Sequence, residues 1–167
     1  IHSRLADYEY LLYERTAEEV PDFLRSGGCN GLNVTIPYKK TAFSICDELS
    51  PIAQKTGSVN TIVRLPDGRL KGYNTDYFGF SYLVHKAGFD VSAGKILVLG
   101  SGGASVTVCA VLKDLGAKEV VVISRSGPND YDTIYTLHKD ARYLVNTTPV
   151  GMYPNTGAAP VDLSRFP

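Results

Sequence analysis

The feature that most constrains the fold of this chain is a glycine-rich turn that follows a continuous apolar run. Residues 96–99 are Ile-Leu-Val-Leu, and the next six are Gly100-Ser101-Gly102-Gly103-Ala104-Ser105. Beyond the turn, apolar residues recur at helical spacing to about Leu115. The pattern predicts a buried β-strand, a tight turn and a helix whose N-terminus lies near Gly103.

A strand, glycine turn and helix in this order are typical of dinucleotide-binding units. Gly100 would allow the tight turn, Gly102 would let the backbone approach a pyrophosphate, and free N–H groups at the helix N-terminus would attract it. The third glycine of the usual pattern is replaced by Ser105, so an ordinary strand-to-helix turn is the alternative. The loop alone is therefore a weak indication of a nucleotide site.

The residues after the next apolar run support a nucleotide site. Glu119–Ile123 predicts a second parallel strand, which ends about twenty residues after the loop, where an NAD site usually carries an acidic residue. Ser124, Arg125 and Ser126 stand there instead. An arginine between two hydroxyls suits a 2′-phosphate, so the predicted cofactor is NADP. The alternative is that Arg125 is a solvated surface residue.

Composition excludes several classes of protein. The 167 residues are 44% hydrophobic, and 17 basic residues balance 17 acidic ones. We therefore expect neither a nucleic-acid partner nor a membrane partner, since no net field recruits them and no apolar run reaches the roughly 20 residues that span a bilayer. Three separated cysteines without nearby histidines predict no metal site and no disulfide. We expect a cytoplasmic monomer or homodimer that binds a small molecule.

The order of predicted elements indicates an α/β fold with two domains. Strands are short and interrupted before residue 76, and continuous apolar runs after residue 94. We predict an α/β substrate-binding domain over residues 1–76 and a Rossmann-like domain with a doubly wound parallel sheet over residues 77–167. Besides the strands named above, the predicted strands are Tyr8–Tyr13, Gly31–Thr35, Ser58–Arg64, Arg69–Tyr73 and Tyr143–Asn146. The predicted helices, besides the one after the loop, are Thr16–Arg25, Pro37–Leu49 and Thr75–Lys86.

Three polar clusters lie at strand ends of the first predicted domain: Asn33 to Lys39, Ser58 to Thr61 and Asn74 to Asp76. Their hydroxyl and amide groups suit a polyol. Lys39 and Asp76 are the strongly charged members, and such a pair can transfer a proton while a nicotinamide transfers hydride. Taken singly, Lys39 fits a solvated surface lysine and Asp76 fits a helix cap. The combination supports the catalytic hypothesis.

Five motifs occur in the order and at the spacing found in shikimate dehydrogenases. They are Asn33–Lys39 (NVTIPYK), Gly57–Thr61 (GSVNT), Gly72–Gly79 (GYNTDYFG), the loop from Gly100, and Asn146–Pro154 (NTTPVGMYP). The chain therefore resembles the shikimate dehydrogenase family, also called the shikimate/quinate dehydrogenase family, over almost all of its length.

The resemblance implies an NADP-dependent oxidoreductase that reversibly reduces 3-dehydroshikimate to shikimate in aromatic amino-acid biosynthesis. It implies that Lys39 and Asp76 are catalytic and leaves open which of them transfers the proton. It implies that Thr35 and Asn60 bind the substrate together with that pair. The implied cofactor residues are Gly100, Ser101, Gly102, Gly103, Ala104, Ser105, Ser124, Arg125, Ser126, Thr147, Thr148 and Met152.

The sequence also departs from the family pattern. Members often carry a second basic residue shortly after the position of Arg125, whereas Gly127-Pro128-Asn129-Asp130 offers none. An NAD-using quinate/shikimate dehydrogenase and a non-catalytic nucleotide-binding relative are the alternatives. Family chains also begin earlier, with a Ser-x-Ser element that binds the substrate carboxylate, and continue to a substrate-binding glutamine. We expect that this sequence lacks both ends and that these residues alone are a poor catalyst.

Overall fold

The computed structural model describes residues 2–4, 7–26 and 28–166, which contain two β-sheets with helices packed on them. We call the first the mixed sheet. Its strand order is β1-β3-β4-β2, in which β3 is antiparallel to β1 and β4 while β2 is parallel to β4. Its strands are β1 (Gly31–Asn33), β2 (Glu48–Leu49), β3 (Thr61–Arg64) and β4 (Leu70–Tyr73).

Three short helices cover the mixed sheet: α1 (Val20–Arg25), α2 (Lys39–Ile45) and α3 (Pro51–Thr56). Their apolar residues pack with Ile62 and Leu70 of the sheet into one core. The strand β4 passes close beneath its neighbours, because a Cβ on Gly72 would lie 2.7 Å from Val59 Cγ2 and 2.9 Å from Cys46 Sγ. Only glycine fits there without moving the core.

The second sheet, which we call the parallel sheet, has the order β6-β5-β7. Its strands are β5 (Lys95–Leu99), β6 (Glu119–Ile123) and β7 (Tyr143–Asn146). Ile96 and Val98 pack with α4 (Asp76–Lys86) and α5 (Gly103–Asp114), and Leu97 and Leu99 pack with α6 (Ile134–Leu137) on the other face. Burial on both faces explains the unbroken apolar run of β5.

The α/β fold class and the doubly wound parallel sheet are confirmed. The predicted helix before the parallel sheet begins one residue late, at Asp76, and the predicted bounds of β6 and β7 match. The predicted domain boundary between residues 76 and 77 falls in the first turn of α4, and the division into two domains stays a prediction. The outer limits of the two predicted domains, residues 1 and 167, lie outside the described residues. No helix of the described ranges combines the length and apolar character needed to cross a membrane.

The predicted strand Tyr8–Tyr13 is wrong. Residues 9–16 have no regular secondary structure, and Leu12 is 87% exposed. Aromatic composition favours a strand only where a neighbouring strand takes up its backbone hydrogen bonds, and none of the described strands pairs with this segment. The ring of Tyr10 instead stacks on His2, and Tyr13 packs on Phe23.

Two predicted helices and three predicted strands of the first domain are shorter than expected. The first helix begins at Val20 instead of Thr16, because the Glu19 carboxylate accepts a hydrogen bond from the Thr16 N–H and closes a turn before the helix. The second begins at Lys39 and ends at Ile45, since Cys46 is extended and leads into β2, which pairs with β4. The strand predicted for Gly31–Thr35 ends at Asn33. The strand predicted for Ser58–Arg64 begins only at Thr61, and the one predicted for Arg69–Tyr73 begins at Leu70.

The sequence prediction also missed α3, although its signals are present. The Ser50 side chain caps the helix by accepting from the Ala53 N–H at 3.2 Å, and Pro51 occupies the first helical position. Gly57 follows the helix in the left-handed region, with φ of 59°. The signals describe a helix of only six residues, and apolar periodicity is weak over so short a span.

Candidate active site

The predicted pyrophosphate loop joins the end of β5 to α5, which begins at Gly103 as expected. Gly100 has φ of +109°, and a Cβ there would lie 2.9 Å from Thr147 Oγ1 and 3.0 Å from Thr148 Cγ2. A side chain is therefore excluded on both conformational and steric grounds. The close approach brings the two threonines after β7 against the start of the loop.

The middle of the loop is open to an anion. Ser101 and Gly102 are exposed, and a Cβ on Gly102 would meet nothing within 4 Å. The first turn of the twelve-residue helix α5 presents backbone N–H groups that have no partner within the helix. The Gly102 backbone thus leaves the space that a pyrophosphate needs for close approach, so the loop fits a dinucleotide.

Ser105 differs from the rest of the predicted loop. It is only 2% exposed, so its hydroxyl lies inside the fold. The hydroxyl lies beside the Cys109 thiol, whose pKa is raised by burial while the hydrogen bond to Ser105 acts in the opposite direction. Ala104 is half-buried in the same turn.

The register of the parallel sheet brings the other predicted cofactor residues to the same edge. Leu99 lies opposite Ile123 of β6 and Asn146 of β7. The segments after all three strands therefore leave the sheet together, which is where ligands bind in open α/β sheets. These segments are Gly100–Ser105, Ser124–Ser126 and the residues from Thr147 onward.

The segment after β6 is buried at its first residue and exposed at the next two. Ser124 is 8% exposed and donates its N–H to the Asn129 carbonyl at 3.0 Å. Arg125 and Ser126 are exposed. Burial raises the pKa of Tyr131, and the positive charge of Arg125 partly opposes that shift.

The segment after β7 is held by short hydrogen bonds. Thr147 donates its N–H at 2.9 Å and its hydroxyl at 2.6 Å to the Leu99 carbonyl. Thr148 donates its N–H at 2.9 Å and its hydroxyl at 2.7 Å to Asn146 Oδ1. Met152 lies further along the turn and is 59% exposed. The segment offers a rigid start and an apolar, accessible end.

The two charged residues of the predicted catalytic pair lie in direct contact. Lys39 is the first residue of α2 and Asp76 the first residue of α4. Lys39 Nζ donates to Asp76 Oδ2 at 2.5 Å, and the side chains are 16% and 42% exposed. The Lys39 carbonyl also accepts from the Val59 N–H, which fixes the helix start against the mixed sheet. A shielded cation is thus paired with a more accessible carboxylate.

Asn60 and Thr35 lie on the segments that flank this pair. Asn60 Oδ1 accepts from the Thr75 N–H at 2.9 Å and from the Thr61 hydroxyl at 3.0 Å, so it fixes the backbone immediately before Asp76. Thr35 is exposed, and its carbonyl accepts from the Tyr38 N–H in the turn that leads into Lys39. Both predicted substrate residues therefore lie at the edge of the mixed sheet that carries the ion pair.

Gly103 joins the catalytic pair to the glycine loop. A Cβ on this residue would lie 3.2 Å from Ser58 Oγ and 3.3 Å from Lys39 Cβ. The N-terminus of α5 therefore packs directly on the start of α2. Sequence reasoning assigned Gly103 to the cofactor and missed this contact, which no local pattern indicates. The loop and the ion pair form one continuous site.

A cavity of about 490 Å³ opens on the other flank of the loop. Ser101 and Ser105 line it together with Lys113 of α5 and Val122 of β6. Lys39 and Asp76 are not among the residues that line it.

Comparison with known proteins finds similar sequences and folds. Residues 2–62 match the shikimate dehydrogenase substrate binding domain. The shikimate dehydrogenase (NADP(+)) of Clostridium perfringens strain SM101 is 37% identical over 155 residues, which cover 85% of this chain and 56% of that protein. The chain thus spans just over half the length of this curated relative.

Two solved structures show the same fold. The shikimate dehydrogenase 1 of Peptoclostridium difficile is 34% identical with a TM-score of 0.82, over 92% of this chain and 61% of that one. The shikimate 5-dehydrogenase of Thermus thermophilus, solved with NADP(H) and shikimate, is 33% identical with a TM-score of 0.74, over 92% and 61%.

The fold and the site define a Rossmann-type α/β protein whose glycine loop packs against a lysine–aspartate pair. Its similarity extends across both sheets, at a level of identity that goes beyond the fold alone. The chain is similar in sequence and in fold to shikimate dehydrogenases.

Proposed function

We propose that the polypeptide carrying this chain is an NADP-dependent shikimate dehydrogenase, which interconverts 3-dehydroshikimate and shikimate. The observation that carries the proposal is the Lys39–Asp76 ion pair at 2.5 Å, packed against Gly103 at the end of the glycine loop. A proton-transferring pair beside a dinucleotide loop suits the reversible reduction of a carbonyl group. The names of the curated relatives and the ligands of the Thermus thermophilus structure support this substrate and cofactor.

Lys39 is the proposed acid in the direction of reduction. In the ion pair Lys39 carries the protons and Asp76 the negative charge. The ammonium group has three N–H donors, of which Asp76 Oδ2 accepts one, so two remain for a substrate oxygen. Lys39 Nζ therefore donates a proton to the carbonyl oxygen, and Asp76 holds the lysine in place. In the reverse direction the neutral amine takes the proton from the hydroxyl.

The other polar residues of the mixed sheet bind and orient the substrate in this proposal. Thr35 and Asp76 are accessible enough to form hydrogen bonds with ring hydroxyls. The Asn60 carbonyl oxygen accepts from the Thr75 N–H, and one amide N–H of Asn60 contacts the Thr75 hydroxyl at 3.0 Å. The second amide N–H is the part that turns to the substrate. These groups define which hydroxyl lies next to Lys39.

The cofactor residues divide by chemistry. Backbone N–H groups from Gly102 to Ser105 hold the pyrophosphate, and Arg125 with Ser124 and Ser126 hold the 2′-phosphate. The side chains of Thr147, Thr148 and Met152 contact the nicotinamide side. When bound, the nicotinamide supplies the hydride that the carbonyl carbon receives.

The test is steady-state turnover by the complete polypeptide that contains these residues. Shikimate and quinate are each assayed with NADP and with NAD. We expect shikimate-dependent reduction with a higher kcat/KM for NADP. A preference for quinate and NAD would replace the proposal with an NAD-using quinate/shikimate dehydrogenase. Tight nucleotide binding without turnover of either substrate would contradict both and favour a non-catalytic relative.

A further inference from the structure

A buried polar cluster joins the mixed sheet to α5. Asn74, which follows β4, is 2% exposed, and it lies between Thr56 at the end of α3 and Thr107 in α5, which are 5% and 1% exposed. Asn74 Nδ2 donates to Thr56 Oγ1 at 3.0 Å and to Thr107 Oγ1 at 2.8 Å. One side-chain amide therefore links the two parts of the molecule that carry the ion pair and the glycine loop.

Hydrogen-bond donors explain why an asparagine is needed at this point. The Thr107 hydroxyl donates to the Gly103 carbonyl at 3.1 Å, and the Thr56 hydroxyl donates to the Ile52 carbonyl at 2.8 Å. Each hydroxyl has only one hydrogen, so both oxygens can only accept from Asn74. A primary amide has two N–H donors and satisfies both, whereas serine has one donor and an ionised aspartate has none.

The Asn74 amide is only partly paired. Its Oδ1 is buried and has no hydrogen-bond partner among the described residues. The amide cannot turn to satisfy this oxygen, because its nitrogen is held by the two threonines. A buried carbonyl oxygen without a partner destabilises a fold. The amide therefore donates two hydrogen bonds and leaves one buried acceptor unpaired.

The cluster touches both sides of the site. Asn74 lies two residues before Asp76, so fixing it also fixes the start of α4. Thr107 lies one helical turn after Gly103 and binds its carbonyl, and Gly103 in turn packs on Lys39. A shift of α5 relative to β4 would therefore move the loop and the ion pair apart.

We propose that Asn74 is a positioning residue, which sets the distance between the Lys39–Asp76 pair and the Gly100–Ser105 loop. The inference rests on the proposed function, because it concerns how the substrate carbon meets the nicotinamide. Misplacement by about 1 Å lowers the rate of a reaction between held groups by about a hundred-fold. Binding of each ligand alone uses groups on one side of the cluster, so affinity changes little.

The experiment compares Asn74→Leu, Thr107→Val and Thr107→Ser with the parent in the complete polypeptide. The readouts are kcat, KM for shikimate, Kd for NADP, and the kinetic isotope effect with shikimate deuterated at the hydride-donating carbon. We expect Asn74→Leu and Thr107→Val to lower kcat by about ten-fold or more while KM and Kd stay within about three-fold. Their isotope effect on kcat rises, because hydride transfer becomes rate-limiting. Thr107→Ser keeps the hydroxyl and retains the parental kcat and isotope effect.

A purely structural role gives a different pattern. Parental kcat and isotope effect in Asn74→Leu and Thr107→Val, with only a lower melting temperature, would overturn the inference. If Asn74→Leu does not fold, the Thr107→Val and Thr107→Ser pair decides alone. If the parent does not turn over shikimate, the proposed function has failed and the inference with it. If the parent is active and the variants have the parental kcat and isotope effect, only the inference is overturned.

Discussion

The two ends of the candidate site differ in how firmly their side chains are held. At the ion-pair end, Lys39 is 16% exposed, contacts Asp76 at 2.5 Å and packs against Gly103. At the opposite end, Arg125 and Ser126 are exposed beyond β6. Preorganised groups contribute most where charge develops during a reaction, whereas an exposed cation acts through contacts that water and salt weaken. We infer that one end performs the chemistry and the other selects the cofactor.

The largest effect should come from the ion-pair end. Lys39→Met should lower kcat by about 10²–10⁴-fold, because it removes a general acid–base group. KM for shikimate should change much less. Steady-state kinetics on the complete polypeptide measures both, and Lys40→Met is the matched control, since Lys40 is the exposed neighbour on the same helix. A nearly normal kcat in Lys39→Met would remove this lysine from the chemistry.

Two glycines of the loop between the two ends allow the effect of backbone strain to be distinguished from the effect of cofactor contact. Gly100→Ala should lower the free energy of unfolding by at least about 1–2 kcal/mol, because a side chain is strained at φ of +109° and would overlap Thr147. Gly102→Ala meets open space and should leave unfolding nearly unchanged while weakening NADP binding. Urea unfolding and NADP titration of both variants test the pair. Equal stability of the two variants would show that Gly100 is not a constrained position.

A moderate effect is expected at the exposed end. Arg125→Ala should raise KM for NADP about ten-fold, because a charge-assisted contact contributes roughly 1.5–3 kcal/mol. KM for NAD should stay nearly the same, since NAD has no 2′-phosphate. Arg142→Ala is the control, because Arg142 is exposed at the opposite end of β7. If Arg125→Ala weakens both cofactors equally, Arg125 does not recognise the 2′-phosphate.

The smallest effect concerns Asp114 on the surface of α5. Hydrogen bonds from Lys55 of α3 and then from Tyr77 of α4 hold the pKa of Asp114 below its ordinary value of 3.8. A lowered folded-state pKa stabilises the fold above the unfolded value, and this contribution is lost as the pH falls through the folded-state value. Asp114→Asn should therefore lower the melting temperature at pH 7 and have less effect at acidic pH.

Thermal unfolding of Asp114→Asn is measured from pH 7 to acidic pH. The control is Asp132→Asn, a change at an exposed aspartate outside α3, α4 and α5. The expected result is a difference from the parent that shrinks on acidification for Asp114→Asn alone. A difference that stays constant with pH would mean that the ionised carboxylate does not tie α3 and α4 to α5.

The parallel sheet could be predicted well from the sequence, and the mixed sheet less so. The strand β5 is buried, with Ile96–Leu99 at 0–2% exposure, and burial on both faces produces the continuous apolar pattern that predicted it. The two-residue strand Glu48–Leu49 exists only because β4 lies beside it, so local propensity continued the preceding helix through it. For Tyr8–Tyr13 the error is the opposite one: local propensity predicted a strand where none of the described strands lies beside the segment.

In the candidate site, too, some features could be predicted from the sequence and others depend on how distant elements pack. Motif order brought Lys39 and Asp76 into one hypothesis, and the structure places their charged atoms in contact. Their distance, the packing of Gly103 on Lys39 and the role of Asn74 depend on how α5 docks on the mixed sheet. Such long-range geometry leaves no periodic signal in the sequence. The roles of the individual site residues stay predictions until they are measured.

The most direct test of the comparison measures kcat and the ratio of kcat/KM for NADP over NAD in the parent, Lys39→Met, Arg125→Ala and the double variant. The account predicts that Lys39→Met lowers kcat and leaves the cofactor ratio unchanged, while Arg125→Ala lowers the ratio and leaves kcat nearly unchanged. The double variant should show the product of the two effects, as expected for independent sites. A change of cofactor ratio in Lys39→Met, or an equal loss of kcat in both single variants, would contradict the division of the site into a chemical end and a cofactor-selecting end.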